Sequence, residues 1–277
     1  MTKLNKNYYG WNSKDHLKGF NFWNDLSNYE FNFRWGSFRE NHILAKVLKK
    51  RDSLFEVGCA TGTTVRWLKN NKILNKIKYL GVDISETIIN HAIFLHPNEN
   101  FKKIDLGPLN KYYDKFDYVF SRDTIMHQEK PFLFLDELIK SANKGVILRL
   151  RTRDTGKTDF NVKKNCQLHY DNYWMPYLVI NINEIIEFLK KQKIVNSIEI
   201  NRSYEVLGGN INRFLPKDLY FKSAGGAETS IFLKIDKTKK NSDLKIIKTD
   251  LIEGRELIRS STIKRLAIAG LKKLKLL

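Results

Sequence analysis

The sequence predicts an α/β protein with a mostly parallel sheet, and three observations lead to this fold class. Residues 53–56 are a short apolar run that ends in an acid, and a glycine-bearing turn and a helical pattern follow directly. Residues 77–85 form a second apolar run that also ends in an acid. Helical patterns separate these and later runs, as crossover connections between parallel strands require. The strand C-termini then share one edge, where open sheets bind ligands.

The turn after the first strand is the main candidate for a ligand-binding loop. Gly58 and Gly62 allow the backbone to turn sharply and to approach a ligand closely, and the helix that follows points its N–H groups at the same place. Ala60 and Thr61 occupy the middle of the loop, so the glycine patterns of dinucleotide and triphosphate sites are missing. Glu56 would repel a phosphate but suits an ammonium or sulfonium ligand.

Two further acids end the next strands of the predicted sheet. Asp83 lies about twenty residues beyond Gly62, a spacing at which a carboxylate can reach a ribose hydroxyl. Asp105 ends the short run that starts at residue 101, and a fourth strand follows at 116–121. The loop and the acids that end these strands therefore predict a single ligand-binding site along one edge of the sheet.

In this order, the elements resemble the class I, or Rossmann-like, S-adenosylmethionine-dependent methyltransferases. The first motif of that family is matched by residues 56–62, and its second and third acids by Asp83 and Asp105. The resemblance covers roughly residues 40–236. It implies S-adenosyl-L-methionine as cofactor, bound by Glu56, Gly58, Cys59, Gly62, Asp83, Ile84, Asp105, Leu106 and Ser121. A domain of the same fold that has lost its pocket is the alternative.

The resemblance also implies a three-layer sandwich with a mostly parallel, seven-stranded sheet and an antiparallel C-terminal hairpin. The later strands are predicted at 145–151, 197–202 and 229–236, and the last two form the hairpin. Apolar spacing predicts helices at 41–50, 64–70, 86–95, 131–143 and 182–192. The methyltransferase domain is thus 40–236, with an insertion at 154–180.

The flanking segments have distinct compositions. Residues 1–39 are rich in aromatic residues and fit neither a clean strand nor a clean helix, so they form either a lid over the pocket or plain packing on the domain. Residues 237–277 begin as a polar basic linker and become a basic amphipathic pattern from about Glu256. Such a helix suits an anionic membrane surface, or docks on this protein or on a second copy.

Candidate catalytic residues follow the fourth strand. His127 could act as a general base toward a hydroxyl, since an imidazole titrates near neutrality, and Asp123 could orient it across a helical turn. The histidine could equally be structural, because methyl transfer can proceed by alignment alone. Arg122, with His169 and Tyr173 of the insertion, is a candidate contact for the acceptor, and an arginine would meet an anionic group. No metal-ligand set is apparent, since Cys166 and His169 do not make four ligands.

The composition of the chain restricts its cellular compartment and the kinds of partner that it can bind. The 277 residues carry a net charge of +19, which nucleic acid, an anionic membrane or an anionic substrate would each explain. Two cysteines make no disulfide framework, and no apolar run approaches the roughly twenty residues of a membrane-spanning helix. No signal peptide is visible, so we expect a cytoplasmic protein, and peripheral contact with an anionic membrane through the tail stays open as an alternative to docking on protein.

The fourth strand also narrows the methyl acceptor. Amino methylation of nucleobases in the resembling family uses an Asn/Asp-Pro-Pro-aromatic motif, whereas residues 121–124 read Ser-Arg-Asp-Thr here. We therefore expect a small-molecule, sugar or glycan-linked acceptor that is methylated at oxygen. An RNA-modifying enzyme, which the charge favours, and a non-catalytic binding module of the same fold stay open as alternatives.

Overall fold

The computed structural model describes residues 16–105, 107–162, 166–170, 173–209, 212–238 and 244–250, and the structural statements below concern these residues. The predicted fold class is confirmed: a mostly parallel sheet lies between helical layers, beside a small antiparallel sheet. The helices are α1 (His16–Asp25), α2 (Asn28–Gly36), α3 (Arg39–Val47), α4 (Thr63–Asn70), α5 (Glu86–Leu95), α6 (Pro131–Ser141) and α7 (Ile182–Lys190).

The main sheet contains the seven predicted strands and two more. Its strands are β1 (Ser53–Val57), β2 (Lys78–Asp83), β3 (Phe101–Lys103), β4 (Phe116–Arg122), β5 (Ala142–Arg153), β8 (Ile180–Asn181), β9 (Val195–Tyr204), β11 (Ala227–Ile235) and β12 (Lys245–Asp250). They run in the order β12-β9-β11-β5-β4-β1-β2-β3, and β8 pairs with β5. Only β11 is antiparallel to its neighbours, β5 and β9. The C-terminal ends of β1, β2, β4 and β5 therefore meet at one edge.

The second sheet combines two strands of the insertion with one strand from the connection between β9 and β11. Its strands are β6 (Gln167–Tyr170), β7 (Tyr173–Pro176) and β10 (Arg213–Phe214), in the order β10-β6-β7. The backbone N–H of Leu178 donates to Met126 O at 2.8 Å, and that of Tyr177 donates to Cys166 O at 2.8 Å. The first bond holds the insertion against the turn that follows β4, at the edge where the strand C-termini meet, and the second lies within the insertion.

Two apolar clusters fill the spaces on either side of the sheet. Because successive residues of a strand face opposite sides, Phe55 joins the cluster under α6 and α7, while Leu54 joins the cluster under α2, α3 and α4. In β4, Val119 joins the cluster under α6 and α7, and Phe120 joins the cluster under α2, α3 and α4. This alternation in central parallel strands is the packing that a three-layer sandwich requires.

The N-terminal segment is more regular than its sequence indicates. We expected no clean helix before residue 41, but α1 and α2 occupy most of residues 16–36. Arg66 of α4 holds them in place: its guanidinium donates to Trp23 O and Leu26 O, both at 2.7 Å, and lies 4.3 Å from the ring centroid of Phe31. Tertiary contacts thus stabilise helices whose aromatic residues lack a simple amphipathic period.

The tail also differs from the prediction in its described part. Residues 245–250 were expected to belong to a polar linker, yet they form β12, a parallel edge strand on β9. The amphipathic helix predicted from Glu256 lies outside the described residues.

Candidate functional site

The loop between β1 and α4 has the backbone geometry that its glycines predict. Gly58 and Gly62 both have φ of +79°, in the left-handed region that L-residues avoid. The backbone N–H groups of Gly58 and Cys59 donate to Val82 O at 2.8 and 3.0 Å, which fixes the loop to the end of β2. The loop is thus anchored on two strands before any ligand binds.

The reason for glycine differs between the two positions. A Cβ at Gly58 would lie 2.2 Å from Thr124 Oγ1, so the end of β4 approaches the loop too closely for a side chain. A Cβ at Gly62 would meet the ring of His96 at 2.6 Å. Gly62 therefore serves the packing of α4, and it does not line either of the cavities described below, contrary to its predicted ligand contact.

Glu56 is buried at the end of β1 and accepts two hydrogen bonds. Thr64 Oγ1 donates to its Oε1 at 2.7 Å, and the Tyr79 hydroxyl donates to its Oε2 at 2.5 Å. Burial raises the pKa of Glu56 to about 7, although both hydrogen bonds act in the opposite direction. Near neutral pH the carboxyl group is therefore poised between its neutral and charged forms, next to the loop.

This pKa gives a testable pH dependence. A bound ammonium or sulfonium ion favours the ionised carboxylate, so binding it must release a proton wherever Glu56 starts out protonated. We expect the affinity for S-adenosylmethionine to rise by up to about tenfold per pH unit below pH 7 and to level off above it. Calorimetry from pH 5.5 to 7.5 measures this slope. In Glu56→Gln the slope should vanish, and an unchanged slope in that variant would exclude Glu56 as its origin.

Asp83 ends β2 beside the same loop. Its carboxylate accepts backbone hydrogen bonds from Ala60 at 3.2 Å and from Ser85 at 3.0 Å, so its position is fixed by both neighbouring segments. Burial raises its pKa above the usual value, while these N–H groups favour the charged form. The side chain is half-buried, so part of it faces the cavity in front of the loop.

Two cavities meet at this edge of the sheet. The first, of about 200 Å³, lies between the ends of β2 and β4 and is lined by residues that include Gly58, Asp83, Ile84, Asp105 and His127. The second, of about 310 Å³, lies under the N-terminal helices and is lined by residues that include Trp23, Trp35, Phe38, Glu56 and Cys59. Gly58, Ala60, Arg122 and Asp123 line both cavities. These shared residues mark where a ligand in one cavity would meet a ligand in the other.

Most residues predicted to bind the cofactor line one of these cavities, and the exceptions have clear reasons. Ser121 is fully buried and donates its hydroxyl hydrogen to Val57 O at 2.9 Å, so it joins β4 to β1 and does not face a cavity. Leu106 lies outside the described residues. Asp105 does line the first cavity, but its side chain is exposed and pairs with Lys103 at 2.9 Å, which lowers the pKa of its carboxyl.

His127 lies in the wall of the first cavity. Its Nδ1 is 2.6 Å from Pro176 O, and because a carbonyl only accepts, Nδ1 carries the hydrogen. In a neutral imidazole of this tautomer the basic lone pair is on Nε2. The insertion therefore sets the tautomer, and the predicted orientation of His127 by Asp123 is wrong. Residues 125–127 form a 3-10 turn, and the Asp123 carboxylate is bound to arginines.

Asp123 occupies a strained position at the junction of the two cavities. It is not glycine, yet its φ is +53°, and its backbone N–H donates to Arg149 O at 2.9 Å. Its carboxylate accepts from Arg149 Nη1 at 2.5 Å and from Arg151 Nη1 at 3.2 Å. About a third of the side chain is exposed, so the carboxylate is held on one side and open on the other.

The arginines around Asp123 belong to a buried network of alternating charges. Arg122 pairs with Glu40 at 3.0 Å, and Arg151 pairs with Glu228 at 3.1 Å. Arg149 contacts Glu228 as well. Arg122 also lies 3.8 Å from the ring centroid of Trp35 and 4.1 Å from that of Phe38. Carboxylates of this chain therefore balance these guanidinium groups.

The predicted substrate contacts have unequal support. Arg122 lines both cavities, but its ion pair with Glu40 leaves an anionic acceptor group little reason to bind there. The backbones of His169 and Tyr173 lie in β6 and β7, next to the segment that contacts His127, while their side chains lie outside the described residues. These two contacts stay predictions.

Sequence reasoning missed two residues of the site, Thr124 and Gln128, which line the first cavity. The second cavity is lined by Arg149, one of the arginines that the sequence places near the strand ends at 149–153, and by aromatic residues of the segment expected to be either a lid or plain packing.

The described residues contain neither a metal-binding cluster nor a membrane-spanning helix. No three or more His, Cys, Asp or Glu side chains are grouped so that they could hold a metal ion. Among the described helices, none has the length and apolar character to cross a membrane.

Comparisons with known proteins agree with this geometry. A family model described as a methyltransferase domain matches residues 48–202, which is more than half of the chain. No curated protein matches the sequence significantly.

Solved structures are similar to this chain at low sequence identity. A Haloferax volcanii methyltransferase complex with the Trm112 activator is similar at 15% identity and a TM-score of 0.50, over 83% of this chain and 96% of that one. Magnesium protoporphyrin IX methyltransferase from Synechocystis PCC 6803, solved with bound S-adenosylmethionine, is similar at 15% identity and a TM-score of 0.45, over 83% and 94%. At such identity the likeness concerns the fold and not the acceptor.

Proposed function

This chain belongs to the methyltransferase-domain family, and from that premise we propose that it transfers a methyl group from S-adenosyl-L-methionine to oxygen of a small-molecule, sugar or glycan-linked acceptor. The meeting of the two cavities at Asp123, beside the glycine loop, is the observation that carries this proposal.

The residues at the first cavity fit the cofactor. Gly58 leaves the loop without a side chain where Thr124 packs against it, and Asp83 offers a fixed carboxylate for ribose hydroxyls. Glu56, in the wall of the adjoining second cavity, offers a carboxylate for a cation. S-adenosylmethionine supplies a methyl group activated by a positively charged sulfur. The chain's part is to hold that cation beside carboxylates and to place the acceptor at Asp123.

Asp83→Ala tests the cofactor half of the proposal. Loss of the hydrogen bonds that the carboxylate would make to the ribose should weaken S-adenosylmethionine binding about tenfold to a hundredfold. Calorimetry measures the affinity, and circular dichroism verifies the fold. Glu187→Ala is the control, because Glu187 lines neither cavity, is 63% exposed and pairs only at the surface with Lys190. Equal affinity of Asp83→Ala and the unchanged protein would remove Asp83 from the site.

Two side chains that face the cavities, His127 and Asp123, support transfer of the methyl group to oxygen. A hydroxyl must lose its proton as it attacks the methyl group, and a neutral His127 with its lone pair on Nε2 can accept one. Asp123 can accept a hydrogen bond from the acceptor with the open side of its carboxylate. An acceptor that donates hydrogen bonds suits this pair better than the anionic acceptor expected from Arg122.

Replacing His127 tests the base. We expect His127→Ala to lower kcat about a hundredfold or more at neutral pH, with cofactor affinity unchanged. The assay measures the S-adenosylhomocysteine that the protein forms from S-adenosylmethionine when extract fractions of small molecules and glycans are added as acceptors. Unchanged turnover in His127→Ala would leave alignment alone as the mechanism.

RNA modification is the second candidate, and the net charge of +19 favours it. The same assay with size-fractionated extract separates the candidates. Turnover that appears only with the RNA fraction and disappears after ribonuclease treatment would replace the oxygen acceptor with RNA. A chain that binds S-adenosylmethionine but turns over with no fraction would instead favour the non-catalytic alternative.

A further inference from the structure

An exposed aromatic pair lies in the long connection between β9 and β11. Tyr220 is 41% exposed and Phe221 is 63% exposed, although both are large and at least partly apolar. Lys217 and Lys222 flank them and are also exposed. Residues 217–222 are called the basic aromatic tip below. Two exposed rings side by side, between two cations, are more than the single apolar residues that are normal on a surface.

The tip stands on a fixed base, so the structure itself holds the two rings outward. Leu219 is 1% exposed and packs in an apolar cluster that includes Leu215 and Ala224. The backbone N–H of Gly208 donates to Leu219 O at 2.9 Å, and that of Phe221 donates to Asp218 O at 3.1 Å.

The tip also presents a net positive charge to its surroundings. Asp218, the one acid within it, is bound by the buried side chain of Arg153. Within the described part of the chain, neither Lys217 nor Lys222 has an ion-pair partner. Two uncompensated positive charges therefore flank the rings, on a chain whose overall charge is already +19.

The tip lies at the same edge of the molecule as the candidate site. Ala224 O, two residues beyond the tip, accepts from the backbone N–H groups of Asp154 and Thr155 at 3.0 and 3.2 Å, directly after β5. The cluster beneath the tip includes Tyr177, whose ring centroid is 6.0 Å from that of His127. A surface that receives the tip would therefore also face the opening of the site.

We propose that the basic aromatic tip docks this protein on an anionic membrane surface. Tyrosine and phenylalanine rings favour the interface between headgroups and acyl chains, and each nearby lysine is attracted to an anionic leaflet. Two rings and two lysines give reversible attachment, not insertion. RNA is less suited as the occupant, because the tip offers two phosphate-binding cations where tight RNA binding uses many. This surface goes beyond the proposed function, since it assigns a partner that the transfer reaction does not need.

Vesicle co-sedimentation of the full chain tests the proposal without any acceptor. Vesicles of phosphatidylcholine with roughly 30% phosphatidylglycerol are compared with phosphatidylcholine alone. We expect binding to the anionic vesicles, and about a fivefold or larger loss of bound protein in Tyr220→Ser with Phe221→Ser. The matched control is Tyr29→Ser with Phe94→Ser, since these rings are 81% and 78% exposed on α2 and α5, and its binding should not change.

A charge-reversal pair completes the test. Lys217→Glu with Lys222→Glu should lose binding, while Lys50→Glu with Lys69→Glu, which makes the same charge change elsewhere, should keep most of it. Equal binding of the tip variants and the unchanged protein would overturn the proposal, because attachment would then lie elsewhere on the chain. Equal binding to both vesicle types would also overturn it. So would tip variants that lose binding to RNA but keep their binding to anionic vesicles. Calorimetry with S-adenosylmethionine verifies that each variant folds, so this result stands apart from the transfer reaction.

Discussion

Gly58→Ala is expected to abolish measurable S-adenosylmethionine binding and to destabilise the fold. A left-handed backbone costs an alanine about 1–2 kcal/mol, and overpacking against Thr124 adds about 1–3 kcal/mol. We therefore expect the free energy of unfolding to fall by about 2–5 kcal/mol, and the cofactor affinity by about a hundredfold or more. Urea unfolding and calorimetry measure the two effects.

Two variants separate backbone strain from steric contact at this position. Gly209 has a φ of +83°, and a Cβ there would meet nothing within 4 Å, so Gly209→Ala should show the strain alone and retain cofactor binding. Thr124→Ala removes the two atoms that a Cβ at Gly58 would meet first, so it should restore part of the loss when combined with Gly58→Ala. If Gly58→Ala bound the cofactor normally, the loop would not be the cofactor site.

Glu228→Ala is expected to cost about 3–5 kcal/mol of folding free energy, because it removes one partner of a buried ionic network. The Glu228 side chain is 8% exposed and contacts both Arg149 and Arg151, which are themselves 8% and 10% exposed. Removing the carboxylate leaves two buried cations with less compensation. It should also shift Asp123, which the same arginines hold, so acceptor turnover should fall more than cofactor affinity.

An exposed ion pair provides the comparison. Glu187 pairs with Lys190 at 2.7 Å while its side chain is 63% exposed, and Glu187→Ala should cost about 1 kcal/mol or less. Urea unfolding of both variants measures the difference. A loss below about 1 kcal/mol in Glu228→Ala would mean that water or other carboxylates replace Glu228, and that the network does not fix Asp123.

The sequence alone determined the parts of this protein that local patterns specify. The β1–loop–α4 unit is visible because apolar alternation, glycine placement and helical spacing all lie within about twenty consecutive residues. Helix α5 was predicted at 86–95 and found there, since Ser85 caps it by accepting from the Ile88 N–H. Asp83 is placed beside the loop by the register of two neighbouring parallel strands.

Only the tertiary structure decided which charged groups meet. Glu40 and Glu228 come from α3 and β11, distant in sequence from the arginines of β4 and β5, so no spacing could predict their pairing. The same holds for Pro176, which sets the tautomer of His127 across the insertion, and for Arg66, which docks the aromatic helices. Local sequence fixes backbone form through steric and periodic constraints, whereas the state of a buried ionisable group depends on partners that folding brings from elsewhere in the chain.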